Sequence, residues 1–432
     1  MRWHQDGRLH FALGLEDTFI PQTRPGERAL DEYELTQHYT HWHEDLGLAA
    51  ASGATMLRWG VPWHRVNPAP DGWDWSWLDR VVDRFDQLGL TPIVDLMHYG
   101  TPLWLERQFA HRDYPARVAE YAARLADRYQ GRLTCFTPLN EPLLNAIYCG
   151  QFAHWPPYLS SDEGLVALIR ALTRGIVSTQ RAIAEVAGDE ASFVHVEASF
   201  RFAGEVAANR DEVDHLRHRA FVMEDLVTGR VWDDHPLAPY LLRHGFSDDD
   251  LDWARRNTAW PDVMGVNYYP AGQTEIFETQ ERHSGGPLDP RPRRNDWTTG
   301  LTEVLTAWAE RYGRPVMLTE TAITGDDAQR QAWLDDSVAA VRDLRAQGVD
   351  VVGYTWWSLI DMIEWTYRYG TKPPSQYQLN MGLWRLEADD TGAMRRLRTP
   401  LADQFRRHAL AGRADSAERR QRRADENETA PA

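Results

Sequence analysis

Only two cysteines occur in the 432 residues, Cys135 and Cys149. Two thiols make neither a disulfide framework nor a four-ligand zinc set. Lysine is nearly absent: Lys372 is the single one, and arginine carries the remaining positive charge. Arginine forks onto carboxylates and never loses its charge, but genomic base composition is the simpler source of so lopsided a usage. Positive charge is scarce overall, with 47 Lys and Arg against 64 Asp and Glu and a net charge of −17. Such a surface repels phosphodiesters and anionic lipid, so neither nucleic acid nor membrane is expected as a partner. Long apolar runs are missing too. No stretch approaches the roughly 20 residues that span a bilayer, and the N-terminus, MRWHQDGRLH, has no apolar signal region. The default expectation is a soluble cytoplasmic protein that needs no cofactor, with homo-oligomer formation left open.

What is present is enough for a large core, since 43% of residues are hydrophobic. Short apolar strands alternate with amphipathic helices, the grammar of a parallel sheet with helical crossovers. Eight strands are expected: Leu9–Leu15, Thr55–Trp59, Pro92–Leu96, Leu133–Leu139, Ser192–Val196, Val263–Asn267, Pro315–Leu318 and Val351–Tyr354. Helices are expected over Gln37–Ser52, Trp77–Leu88, Tyr114–Tyr129, Gly164–Val186 and Asp327–Gln347. This predicts an α/β fold, a single-domain (β/α)8 barrel over residues 1–408. Residues 409–432 are charged, Ala-rich and almost free of large apolar groups, so they are expected to be disordered or a frayed helix. Truncation after Arg407 is then expected to leave melting temperature and activity nearly unchanged. Ser284–Asn295, rich in Pro, Arg and Gly, reads as a surface loop after the sixth strand, on the active face.

Chemistry in such a barrel sits at the C-terminal ends of the strands. Those ends are rich in polar groups: Glu16–Asp17, Arg58, His98, Asn140–Glu141, Asn267–Tyr268–Tyr269, Glu320, and a last stretch holding Trp357, Asp361, Glu364 and Trp365. Two glutamates at the ends of strands four and seven suit glycoside hydrolysis. One is protonated and donates to the leaving oxygen, and the other is ionised and attacks the anomeric carbon. An arginine near Glu320 keeps that carboxylate charged, and the Tyr269 hydroxyl adds a hydrogen bond. Glu141 needs the opposite, burial and a nearby negative charge. Asn140 is suited to the sugar 2-hydroxyl. A purely structural role, as an ion-pair partner inside the barrel, stands beside the catalytic one for any single glutamate; the whole set at one rim favours catalysis.

These motifs carry a resemblance. The segments TPLNEP (137–142), LTET (318–321), HEDLGLAAASGATMLRWGVPWHRVNP (43–68), GVNYYP (265–270), WWSLIDMIEW (356–365) and MGLWRLE (381–387) resemble, in order, those of glycoside hydrolase family 1, the β-glucosidase-like family. The resemblance runs from about residue 9 to about residue 405. It implies a retaining β-glycosidase for small β-glycosides, with Glu141 as acid/base and Glu320 as nucleophile. It implies substrate contacts from Glu16, Arg58, His98, Asn140, Asn267, Tyr269, Trp357, Glu364 and Trp365, and no metal. The chain also departs from the family. The region of the family's sugar-gripping Gln reads LGLEDTFIPQ, where Glu16 or Gln22 stands in. Tyr99 follows His98 where Trp is usual, Thr321-Ala322 replaces Asn-Gly, and Met381 replaces Phe.

Other readings of the same residues are weaker. Of the 19 tryptophans, Trp357 and Trp365 are expected as sugar platforms, while Trp73, Trp75 and Trp77 read as structural. His38, His41 and His43 lie on the first helix, away from the strand ends where a barrel metal site belongs. A sugar-binding protein without activity is expected to have lost a catalytic glutamate, and both are present. Whether water or a second sugar takes the covalent intermediate is left open by the residues.

Overall fold

The computed structural model describes residues 2–204, 206–277 and 292–413. Eight parallel strands close into a barrel in sequential order: β1 (His10–Leu15), β2 (Met56–Gly60), β3 (Thr91–Asp95), β4 (Cys135–Thr137), β5 (Ser192–Ala198), β6 (Val263–Asn267), β7 (Val316–Glu320) and β8 (Val351–Trp357). β1 pairs with both β2 and β8, which closes the ring. The helices outside it are α1 (His38–Ala51), α2 (Ser76–Leu88), α3 (Tyr114–Arg128), α4 (Asp162–Ala187), α5 (Asp248–Arg256), α6 (Trp297–Tyr312), α7 (Asp327–Ala346) and α8 over 400–413. The expected (β/α)8 barrel is therefore the observed fold. No helix among the described residues is long and apolar enough to cross a membrane.

The interior explains why polar residues collect at one end. Side chains two apart on a strand stack along the barrel axis. The lower layers are apolar, with Ala12, Met56, Ile93, Cys135, Val194, Val263, Met317 and Val352 in one buried cluster. Two residues on, the same strands turn small or polar. Met56 leads to Arg58, Ile93 to Asp95, Ala12 to Gly14 and Glu16, and Val263 to Gly265 and Asn267. The pattern fills the bottom of the barrel and delivers charge to its C-terminal rim. Gly14 is demanded by a close approach: a Cβ there would stand 2.2 Å from Cδ1 of Trp357.

Strand ends moved where side chains allow more or less pairing. β4 is shorter than expected, and β8 runs on to Trp357 because Trp356 and Trp357 pair with Leu13 and Gly14. The α6 helix, and Arg210–Arg219, Val222–Val227, Ala238–Arg243 and α5 between β5 and β6, were not expected. Arg210–Arg219 buries only Val213, so it has no apolar stripe to read.

Past residue 408, where a disordered segment or a frayed helix is expected, the described chain stays helical. α8 runs through residue 413. Leu401, Phe405 and Ala409, four apart, are all buried, as neighbours on one helix face are. Phe405 meets Phe11 of β1 with ring centroids 5.9 Å apart. His408 Nε2 lies 2.6 Å from Asp335 Oδ1, and Arg413 donates to the Gly53 carbonyl at 3.0 Å. Small residues such as Ala409 bury well on a helix even though composition marks them as tail-like. The rest of the expected tail, 414–432, lies outside the described residues.

Candidate active site

A cavity of about 280 Å³ opens at the C-terminal rim, with Glu141 and Glu320 on its wall. Glu320 arrives there through an irregularity in β7. Val316, Met317 and Leu318 pair with β6 in step, then the register slips and Glu320 stands opposite Asn267. A slip of this kind re-aims a side chain. Thr319, just before it, donates to Asn267 Oδ1 at 2.7 Å. Glu320 Oε1 accepts from Arg58 Nη1 at 2.5 Å, and Oε2 accepts from the Tyr269 hydroxyl at 2.7 Å.

Arg58 is fully buried and serves several acceptors. Its Nη1 is also 3.0 Å from Glu16 Oε1, and its Nη2 donates to Asp95 Oδ2 and Asn140 Oδ1, both at 2.6 Å. Burial opposes its charge, but Glu16, Asp95 and Glu320 outweigh that and raise its pKa further. One cation cannot repay the desolvation of three carboxylates. Glu16 bears the difference: burial, with Glu320 and Asp95 adding, raises it well above the carboxylate range against the pull of Arg58.

Glu141 closes β4 in a left-handed backbone conformation, φ 43° and ψ 60°. That is uncommon for a residue with a Cβ and is typical of functional sites. Its amide donates to the Val196 carbonyl of β5 at 3.0 Å, and Pro142 starts the short helix Pro142–Ala146. Its Oε1 accepts from Asn267 Nδ2 at 2.8 Å, and its Oε2 from the Tyr99 hydroxyl. Burial and the charge of Glu320 push its pKa up to about 7, against the hydrogen bonds from Tyr99 and Asn267. Two carboxyls with such unlike surroundings can divide acid and nucleophile roles.

The expected site residues separate into two shells of position. His98, Tyr269, Trp357, Glu364 and Trp365 share the cavity wall with the two glutamates. Glu16, Arg58, Asn140 and Asn267 sit behind that wall, at 3%, 0%, 0% and 0% exposure. Asn140 is occupied by Arg58, by Asn267 and by His98 Nε2 at 3.3 Å. Glu16 accepts from the Trp357 indole at 2.7 Å and so holds that ring. Gln22 is exposed and donates to the Glu27 carbonyl, so of the two candidates for the missing Gln only Glu16 is at the barrel end. Glu364 caps the turn Trp365–Tyr369, accepting from Thr366 N at 3.0 Å. Arg368, on the same turn, pairs instead with Glu27 at 2.9 Å.

Sequence reasoning missed much of the rim. Tyr99, Leu144, Tyr148, Phe200, Gln273 and Arg293 also line the cavity. They lie on the segments that follow the strands, some many residues on, so loop geometry decides where they point; the place of Tyr99 after His98 was the only available signal. Arg293 belongs to the loop expected on the active face, where Arg293–Arg294 pairs with Thr274–Ile276; residues 284–291 of that loop lie outside the described residues. Away from the cavity, His38 is bound to Asp45 at 2.8 Å and to the Trp59 indole, a structural role. One group with metal-ligand chemistry stands out among the described residues, Asp17, Asp31 and His64, whose ligand atoms lie within 4.8 Å of one another. Protein partners already occupy these atoms: Asp17 accepts from Tyr33 N and the Tyr39 hydroxyl, and Asp31 from Glu34 N with His64 at 3.3 Å.

The sequence profile of glycosyl hydrolase family 1 matches residues 3–377. The chain belongs to glycosyl hydrolase family 1. It is a glycoside hydrolase. Within family 1 it is 27% identical over 407 residues to the thermostable beta-glucosidase B of Thermobispora bispora, covering 85% of this chain and 80% of that one. It is 22% identical over 382 residues to a 6-phospho-beta-glucosidase of Clostridium longisporum, covering 77% and 79%. Its fold matches the beta-glucosidase from Thermotoga maritima in complex with azafagomine at a TM-score of 0.78 and 19% identity, over 94% of this chain and 98% of that one. At that identity the likeness is one of fold.

Proposed function

We propose that this family 1 enzyme is a retaining β-glycosidase for neutral β-glycosides, with Glu320 as nucleophile and Glu141 as acid/base. The observation that carries the reading is the asymmetry between the two carboxyls. Arg58 and Tyr269 both donate to Glu320, the contacts that suit a carboxylate nucleophile. Burial and the neighbouring charge keep a proton available on Glu141. In the first step Glu320 attacks the anomeric carbon as Glu141 passes its proton to the departing glycosidic oxygen. In the second step Glu141, now a carboxylate, takes a proton from water. That water displaces Glu320 and restores both groups.

The neutral glycone follows from charge. Among the described residues, Glu141, Glu320 and Glu364 line the cavity, and the one arginine on its wall, Arg293, is 3.2 Å from Glu275. Recognition of a sugar phosphate asks for lysine or arginine aimed at its oxygens. Two measurements test the reading together. Proton NMR of the first-formed product should show the β-anomer, and an α-anomer would refute retention. Glu320→Ala should abolish turnover, because no covalent intermediate forms. Glu141→Ala should lower kcat/KM on alkyl glycosides roughly a hundred- to ten-thousandfold. Glycosylation by dinitrophenyl glycosides, which leave unaided, should be spared. Equal losses on both substrate classes would remove Glu141 from the acid role.

A further inference from the structure

Tyr99 stands where the family's usual side chain is an indole, and it touches the second catalytic candidate directly. Its hydroxyl is bonded to Glu141 Oε2. The residue is 2% exposed, and its ring is wedged among His98, Trp155 and Trp365, with centroids 4.7, 5.0 and 5.5 Å away. Its backbone is left-handed, φ 81°, a conformation that a bulky residue keeps only under constraint from its surroundings. Those constraints are visible. Phe19 N donates to the His98 carbonyl at 3.2 Å, and the Phe19 carbonyl presses on Gly100, where a Cβ would come within 2.0 Å of it. The hydroxyl is thus carried on a pinned turn and has little freedom except rotation of its own proton.

That rotation matters because of what holds the other oxygen. Asn267 Nδ2 can only donate, so Glu141 Oε1 meets a donor in every state. A phenol both donates and accepts, whereas an indole N–H only donates. We propose that Tyr99 is a positioning residue for the acid/base, donating to Glu141 when it is a carboxylate and accepting from it, or releasing it, when it is an acid. This rests on the assignment of Glu141 proposed above. The consequence falls mainly on the second step. When Glu141 has given up its proton, the Tyr99 O–H swings to bond Oε2 and steadies the charge while water is positioned. The groups that face Glu141 and share its electrostatics are Glu320, Arg58, Glu197, Tyr99 and Tyr269. Of these, Tyr99 is the one that offers a hydroxyl directly to its carboxylate.

Removing a donor to a carboxylate favours its protonated form. The sign is therefore fixed: in Tyr99→Phe the alkaline limb of kcat/KM, set by loss of the Glu141 proton, should move up by about one pH unit. For dinitrophenyl glycosides, whose slow step is hydrolysis of the glycosyl-enzyme, kcat should fall about tenfold at neutral pH and KM should fall with it, because the intermediate accumulates. Tyr99→Trp keeps a donor but cannot accept, so the acid form of Glu141 meets donors on both oxygens; should the Phe variant fold poorly, the Trp variant's alkaline limb should move down rather than up. An alkaline limb unmoved in a folded Tyr99→Phe, or kcat lowered with KM unchanged, would overturn the inference. A 2-deoxy-2-fluoro glycoside keeps the outcomes apart. Labelling of Glu320 in the wild-type enzyme supports the retaining reading, so that an unmoved limb then counts against Tyr99 alone. Without such labelling the retaining reading falls, and the role of Tyr99 with it.

Discussion

At the scale of single residues, the two carboxyls differ in their partners: Arg58 and Tyr269 donate to Glu320, and Asn267 and Tyr99 to Glu141. Arg58 and Asn267 follow apolar interior residues at spacing two, so alternation alone places them at the rim. Glu320 was legible as the end of its strand, but not the register slip that turns it inward. Loop residues were opaque, because nothing in the order His98-Tyr99-Gly100 says that the chain turns left-handed and aims a phenol at Glu141. Glu364 shows how two roles can share one side chain. It lines the cavity, and its Oε2 accepts from Thr366 N and the Thr366 hydroxyl. Glu364→Gln retains one acceptor for that turn while removing the charge. The expected result is a ten- to hundredfold loss in kcat/KM with altered preference among epimeric aryl glycosides and a melting temperature nearly unchanged. A lower melting temperature with an unchanged epimer ratio would assign the residue to the turn alone.

At the scale of elements, strong periodicity made the barrel strands and the long helices readable, and its weakness hid the rest. The stretch between β5 and β6 folds into several short helices whose buried faces are shared with neighbours, so no single segment carries a full apolar stripe. The last helix was legible only in outline. Residues 409–413 look like the start of a polar tail, yet Ala409 is 2% exposed and Arg413 reaches the Gly53 carbonyl. Truncation after Arg407 removes the His408–Asp335 contact, the buried Ala409 and the Arg413 bond together. It should lower the melting temperature by several degrees, in proportion to about 1–3 kcal/mol of lost packing and hydrogen bonding. Truncation after Arg413 keeps all three and is the matched control. Equal melting temperatures for the two truncations would show that the end of the helix contributes nothing.

At the scale of the molecule, the proposed preference for a neutral glycone is a question of charge. The net charge is −17, and the cavity adds Glu141, Glu320 and Glu364 to that field. The strongest buried cation, Arg58, is committed to Glu16, Asp95 and Glu320 and presents nothing to a ligand. Arg293 is the arginine on the wall among the described residues, and Glu275 is beside it. A 6-phosphoglycoside brings two negative charges into this low-dielectric, anionic cleft, while its neutral counterpart brings none. The expected outcome is a kcat/KM for a nitrophenyl 6-phospho-β-glycoside at least about a hundredfold below that of the unphosphorylated compound. Part of that difference is long-range repulsion, which salt screens over about 10 Å at 0.1 M. Raising the ionic strength from about 10 mM to about 0.5 M should therefore narrow the gap by improving the phosphorylated substrate, with little effect on the neutral one. The remainder, from unpaired phosphate oxygens at the wall, should persist in high salt. Equal turnover of the two substrates at low salt would refute the neutral-glycone reading and turn attention to Arg293, which among the described residues is the one side chain on the wall able to fork onto a phosphate.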